Sequence, residues 1–281
     1  MNRTCLSIAI GSAIGFSTIV NSHAASENWR NRASVEAAST VTASDIVAEV
    51  SFGRAIAARI LGRHRPYENP DLIKYVNLVG ATLALSTNRP ELEFHLMILD
   101  TDEINAYAAP GGYIFITKGA LKYMKDESEL AGVLAHEVAH IAEKHIVKDL
   151  KIKGADESGV SDLAKLAGGS SGAARAAFGL AVDKGLELIF KDEYKKEDEL
   201  QADKTGVTIS ALSGYDPAGL ARYLNRIKPI KEKTPPPSDS NHPTFDSRIA
   251  QINDTIKKDG INSNALAKNN VRFAESMKSF K

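Results

Sequence analysis

The stretch Leu130–His145, LAGVLAHEVAHIAEKH, carries three histidines and, between the first two, a glutamate. His136, Glu137, Val138, Ala139 and His140 spell H-E-x-x-H. On a helix, positions i and i+4 differ by about 40° in azimuth, so both imidazoles leave one face a turn apart. That spacing suits chelation of one zinc ion through two ring nitrogens. Glu137, beside the first histidine, is placed to act as general base on a metal-held water and to pass the proton to a leaving amine. Such a five-residue pattern arises by chance in roughly one chain per hundred of this length. The flanks add weight to it. VLA and VAHIA are apolar, so the helix is buried, and histidines and a glutamate inside a protein need partners.

His145 follows His140 by five residues, about 140° further round a continuous helix. It therefore reads as a neighbour of the site or a surface residue rather than a ligand. The third ligand must come from another helix, and Glu199-Leu200-Gln201-Ala202-Asp203 offers one. Glu199 and Asp203 are again i and i+4. Glu199 suits the metal, Asp203 suits a hydrogen bond that fixes the tautomer of a ligating histidine, and Ala202 leaves room for close helix packing. Alone, KKEDELQAD reads as a solvated charge run. Beside H-E-x-x-H it reads as the other half of a site.

The rest of the chain sets the frame. Its 281 residues are 43% hydrophobic and 25% charged, the composition of a globular protein. Lys+Arg and Asp+Glu both number 35, and the balance argues against an electrostatic search for nucleic acid. MNRT, the apolar run Leu6–Val20 and the small residues Ser22 and Ala24 have the layout of a secretory signal peptide, residues 1–24. Its removal would take away Cys5, the single cysteine, so disulfides and thiolate ligands are excluded from the mature chain. Residues 25–44 are read as a flexible segment, 45–259 as the folded domain and 260–281 as a polar, peripheral tail.

Within the domain, helices are expected at 49–62, 69–87 (Asn69 capping, Pro70 in the first turn), 126–150, 191–214, 216–230 and 242–258. ELEFHLMILD (91–100) alternates as a strand does, and YIFIT (113–117) reads as a second strand after a Pro110-Gly111-Gly112 turn. The two are expected to pair antiparallel. Residues 154–189, rich in Gly, Ala and Ser, are read as weak helices broken at Gly168-Gly169 or as a flap.

These motifs together resemble the HtpX/CAAX-prenyl-protease family of zinc peptidases, metallopeptidase family 48, in its soluble periplasmic branch. H-E-x-x-H with a distant E-x-x-A-D is similar to the family's ligand pattern. EINAYAAPGGYIFITKGAL (103–121) is similar to its N-A-F-A-x-P-G-G segment, and HPTFDSRI (242–249) to its late H-P-x-x-x-x-R-[IL] segment. One departure is Tyr194-Lys195-Lys196 where the family often has Tyr-Ser-Arg. The resemblance implies an α+β, gluzincin-type zincin, mainly helical, with a small β-sheet beside the zinc helix. It implies one Zn²⁺ per chain held by His136, His140 and Glu199, Glu137 as base and Asp203 supporting a histidine. His242 would stabilise the oxyanion or approach the metal, and Arg248 would brace the site. The strand near Tyr113–Thr117 would be an edge that holds an extended peptide by β-addition. Protein or peptide substrates in envelope quality control are implied, with room for peripheral association with the envelope. A zinc-containing chaperone or adaptor with weak proteolysis is the competing reading, and an intact Glu137 favours the enzyme.

Overall fold

The computed structural model describes residues 29–30, 41–154, 172–190, 194–233 and 243–280. The expected signal peptide, most of the segment that follows it, residues 155–171 and His242 lie outside these. Among the described residues no helix is long and apolar enough to cross a membrane.

Helix α1 (Ala43–Arg63) begins six residues before the expected start. The reason is a capping box. The Thr42 hydroxyl accepts from the Asp45 amide at 3.2 Å, and the Asp45 carboxylate accepts from the Thr42 amide at 3.0 Å. Helix α2 (Pro70–Ala84) starts as its sequence dictates, with Asn69 accepting from the Leu72 amide and Pro70 in the first turn. Its buried stripe is Leu72, Val76, Val79 and Leu83.

The sheet has three strands: β1 (His95–Leu99), β2 (Ala106–Ala109) and β3 (Tyr113–Thr117), in the order β1-β3-β2. β1 and β3 pair parallel, which corrects the antiparallel expectation. The physical reason lies in the segment between them. Residues 106–109 form a strand of their own, and the Pro110–Gly112 turn folds it antiparallel onto β3, leaving β1 the other side. Gly111 and Gly112 make that turn at φ of +75° and +97°, and a Cβ on Gly112 would lie 2.1 Å from the Glu93 carbonyl oxygen. β3 is thus the central strand, not an edge.

A short helix α3 (Lys118–Lys122) leads to α4 (Glu127–Ala142), capped by Asp126, whose carboxylate accepts from the Glu129 amide at 2.9 Å. Every residue of α4 from Glu127 to Ile141 is buried. The single helix expected over 126–150 is two. Lys144 adopts the left-handed conformation at φ 59°, which ends α4 and starts α5 (His145–Asp149) in a new direction. Helix α6 (Gly172–Phe190) covers α1 through Val182, Leu186 and Ile189. Helices α7 (Lys196–Leu212) and α8 (Gly219–Lys231) pack on the far side of α4, and α9 (Phe245–Lys258) packs on both of them. Ala202 of α7 is fully buried, and a Cβ on Gly206 would lie only 3.2 Å from the His136 nitrogen, so the two helices approach closely.

The segment beyond Gly260 is polar in composition, yet it is anchored. It forms a bridge between Tyr215 and Ala267 and a last helix α10 (Asn270–Ser276), whose Phe273 is buried. Asn269 and Arg272 reach the fully buried Glu127, which also accepts from the Tyr75 hydroxyl at 2.8 Å.

The other end of α4 is pinned by Arg89. Its guanidinium donates to the Ile141 carbonyl at 3.0 Å and to the Glu49 carboxylate at 2.8 Å, and Glu49 in turn accepts from the Gly111 amide at 3.1 Å. Glu49 and Arg89 are each only 2% exposed. One pair thereby ties α1, the glycine turn and the end of α4 together. Arg89→Met would leave the Glu49 charge buried without its partner, and a loss of about 3–5 kcal/mol is expected, read from denaturant midpoints.

Candidate metal centre

Two helices bring side chains to the face of α4 that carries His136 and His140. α7 brings Glu199 and Asp203, and α9 brings Arg248. Among the described residues, His136, His140 and Glu199 form a group whose donor atoms all lie within 4.8 Å of one another. The two Nε2 atoms are 3.1 Å apart. Glu199 offers Oε2 at 3.5 Å from His136 Nε2 and Oε1 at 3.3 Å from His140 Nε2. A tetrahedral zinc about 2.0–2.1 Å from each donor requires donor–donor edges of about 3.3 Å. The 3.1 Å between the imidazoles and the nearest Glu199 oxygens at 3.3 and 3.5 Å lie close to that value. Two imidazoles and one carboxylate are also the ligand set of catalytic zinc sites, which keep a fourth position open.

Asp203 is fully buried and lies 3.0 Å from His136 Nδ1. A proton on Nδ1 donated to Asp203 leaves Nε2 with its lone pair toward Glu199 and His140. Arg248 grips the same carboxylate with both arms, Nε to Oδ2 at 2.8 Å and Nη2 to Oδ1 at 2.7 Å, and its Nη1 lies 3.2 Å from Glu199 Oε2. Of the two residues the late motif singled out, Arg248 is therefore in the site, while His242 lies outside the described residues.

Burial raises the Glu199 carboxyl, but Arg248 and the two histidines outweigh it and hold that group well below the usual carboxylate range. Asp203 is lowered too, its burial overcome by Arg248 and His136. Burial and the charge of Arg248 lower His136, yet its bonds to Asp203 and Glu199 prevail and raise it to about 9. A metal and a proton compete for that imidazole. Glu137 is raised, chiefly by burial, against the pull of the neighbouring histidines.

His145 is not at the surface. It is 3% exposed, and its Nδ1 lies 2.8 Å from His140 Nδ1. The 140° separation assumed an unbroken helix, and the turn at Lys144 removes that premise. His145 nonetheless stays out of the donor triangle. Tyr194 enters the sequence reading only as the matching residue of Tyr194-Lys195-Lys196, whose two lysines are the departure. Its ring lies on His140, with centroids 4.2 Å apart and planes at 33°. Gln201 and Thr205 also belong to the surroundings, both bonded to Glu143. Each lies two residues on from Glu199 or Asp203, about 200° round α7, so the face that carries those two acids did not point to them.

The centre opens into a cleft of about 620 Å³ whose wall includes Glu137, Tyr107 and Ala108 of β2, and Leu220, Tyr223 and Ile227 of α8. β2 is the sheet edge on this cleft, the place that the sequence reading had given to Tyr113–Thr117.

Residues 70–256 match the model of peptidase family M48. The chain is similar to the beta-barrel assembly-enhancing protease of Escherichia coli K12, 28% identical over 209 residues that cover 72% of this chain and 42% of that protein. It thus spans less than half the length of that relative. It is also similar to two Escherichia coli K12 proteins named metalloprotease LoiP and metalloprotease YcaL. LoiP is 24% identical over 69% of this chain and 74% of its own length, and YcaL 21% over 91% and 98%. With a family match that spans most of the chain and includes both halves of the donor triangle, this protein belongs to peptidase family M48.

Proposed function

We propose that the chain is a zinc-dependent metalloendopeptidase, with one Zn²⁺ held by His136, His140 and Glu199, that hydrolyses peptide bonds in unfolded or misassembled envelope proteins in the periplasm. The observation that carries this reading is the joint placement of Glu137 and the donor triangle on the wall of one long, partly apolar cleft. Location and substrate class rest on the signal-like N-terminus and on the likeness to a relative named for beta-barrel assembly.

A zinc ion in the triangle supplies a Lewis acid that polarises the scissile carbonyl and acidifies water. The chain's own groups do the rest. Glu137 takes a proton from the attacking water and delivers it to the leaving amine. Asp203 holds His136 in the tautomer that turns Nε2 to the ligand position, and Arg248 holds Asp203 and offsets the charge of Glu199. The outer edge of β2, on the wall of the cleft, receives the substrate as an added strand, which uses main-chain bonds and tolerates varied side chains. The apolar residues of α8 suit side chains that a folded protein would hide. His242 lies outside the described residues, and the late motif that carries it supports a part at the oxyanion or near the metal. A pure chaperone would have no use for the carboxylate of Glu137.

Glu137→Gln keeps the donor triangle and removes the base. Casein cleavage should fall by about 10²–10⁴-fold with zinc still at one per chain. Equal cleavage by the variant would remove Glu137 from that role, and zinc without cleavage in either protein would favour the chaperone. Glu199→Ala removes a ligand and should leave the purified protein largely free of zinc by elemental analysis; full occupancy would move the third ligand elsewhere.

A further inference from the structure

The third histidine of the opening stretch has a part of its own. We propose that His145 is a positioning residue for the metal centre: its Nδ1 accepts the Nδ1 proton of His140 and so keeps His140 Nε2 free to bind metal. The proposal deepens the reading above and rests on His140 being a ligand.

The ground for it is a chain of polar groups with one consistent arrangement of protons. Glu143, an acceptor at both oxygens, receives Gln201 Nε2 at 2.8 Å and the Thr205 hydroxyl at 2.7 Å. This fixes which way the Gln201 amide faces, and its Oε1 is left toward His145 Nε2 at 3.4 Å, the longest link. Oε1 only accepts, so the proton of His145 belongs on Nε2, with the Asp198 carboxylate 3.8 Å from the same nitrogen favouring it further. His145 Nδ1 then carries a lone pair, 2.8 Å from His140 Nδ1. Two ring nitrogens at that distance share one proton, which must come from His140. A proton on His140 Nδ1 means a bare Nε2, the atom that faces His136 and Glu199.

The opposite arrangement shows what is at stake. Were the shared proton on His145, His140 would carry its own on Nε2 and point an N–H at the ligand position. The Glu143 carboxylate thus sets the polarity of the whole chain, and His145 relays it. The left-handed turn at Lys144 makes the contact, because it folds residue 145 back beneath His140. Tyr194 lies on the His140 ring at 4.2 Å and meets the His145 ring edge-on at 6.3 Å.

The test compares His145→Leu with His145→Asn. Leu fills apolar volume and accepts nothing, whereas the Asn side-chain oxygen sits close to where Nδ1 was and still accepts. Apoproteins are titrated with zinc against a chromophoric chelator, after thermal unfolding has confirmed that each is folded. His145→Leu should weaken zinc binding by about 10–100-fold, the usual cost of losing a group that orients a ligand, and His145→Asn should restore most of it. Wild-type affinity in the Leu variant overturns the proposal, and so does an Asn variant as weak as Leu, which would make the role one of packing. Should the Leu variant not fold, long-range ¹H–¹⁵N spectra of the zinc-loaded wild type decide: a bare His145 Nδ1 is expected, and a proton there overturns it. Failure of wild type to hold zinc would sink the metal reading itself. Zinc binding without proteolysis would sink only the peptidase.

Discussion

One guanidinium holds the cleft together. Arg248 sits between two buried carboxylates, taking Asp203 with both arms and Glu199 with one nitrogen. Transfer of those charges out of water is expensive, and the interior tolerates them because each has a partner with good geometry. Asp203 in turn fixes His136, and Glu199 closes the triangle with His140. The order of dependence therefore runs from α9 to α7 to α4. A helix that contributes no donor to the triangle decides whether the triangle exists. The pull of Arg248 also keeps Glu199 ionised despite its burial, which is the state a metal ligand needs.

The same logic repeats at both ends of α4. A helix buried from Glu127 to Ile141 cannot leave its terminal groups to water. Its start is held by Asp126, by Arg222 and Arg226 on the acids of the first turn, and by the residues around Arg272. Its end is held by the Arg89 bond to the Ile141 carbonyl. Fixed at both termini, α4 presents His136 and His140 from a rigid element, as a site with sub-ångström tolerances requires.

Much of the centre was legible because its signals are local. The i, i+4 spacings of His136 with His140 and Glu199 with Asp203 follow from helix geometry alone, and the structure brings these four residues together. So was the cap at Asn69, whose side chain acts within three residues. What escaped reading depends on contacts between distant segments. The parallel pairing of β1 with β3 follows from β2 taking the other side, and nothing in YIFIT records which neighbour it will have. The break at Lys144 has no Gly or Pro to announce it, so the helix read straight through, and His145 was left open between a neighbour of the site and the surface. The burial of Arg89 and Glu49 leaves no local trace, because it arises from three separate elements closing over them.

The latch on Glu127 bears on the order in which the molecule is completed. Arg272 reaches across a sequence separation of 145 residues to a carboxylate with no exposure to solvent. Until residues 269–272 have been made and have docked, the first turn of α4 carries an acid that should remain hydrated, and the helix start should stay loose. The rigid form of the motif helix thus waits on a segment 145 residues further along, so its donors are fixed in place only once that distant segment has docked.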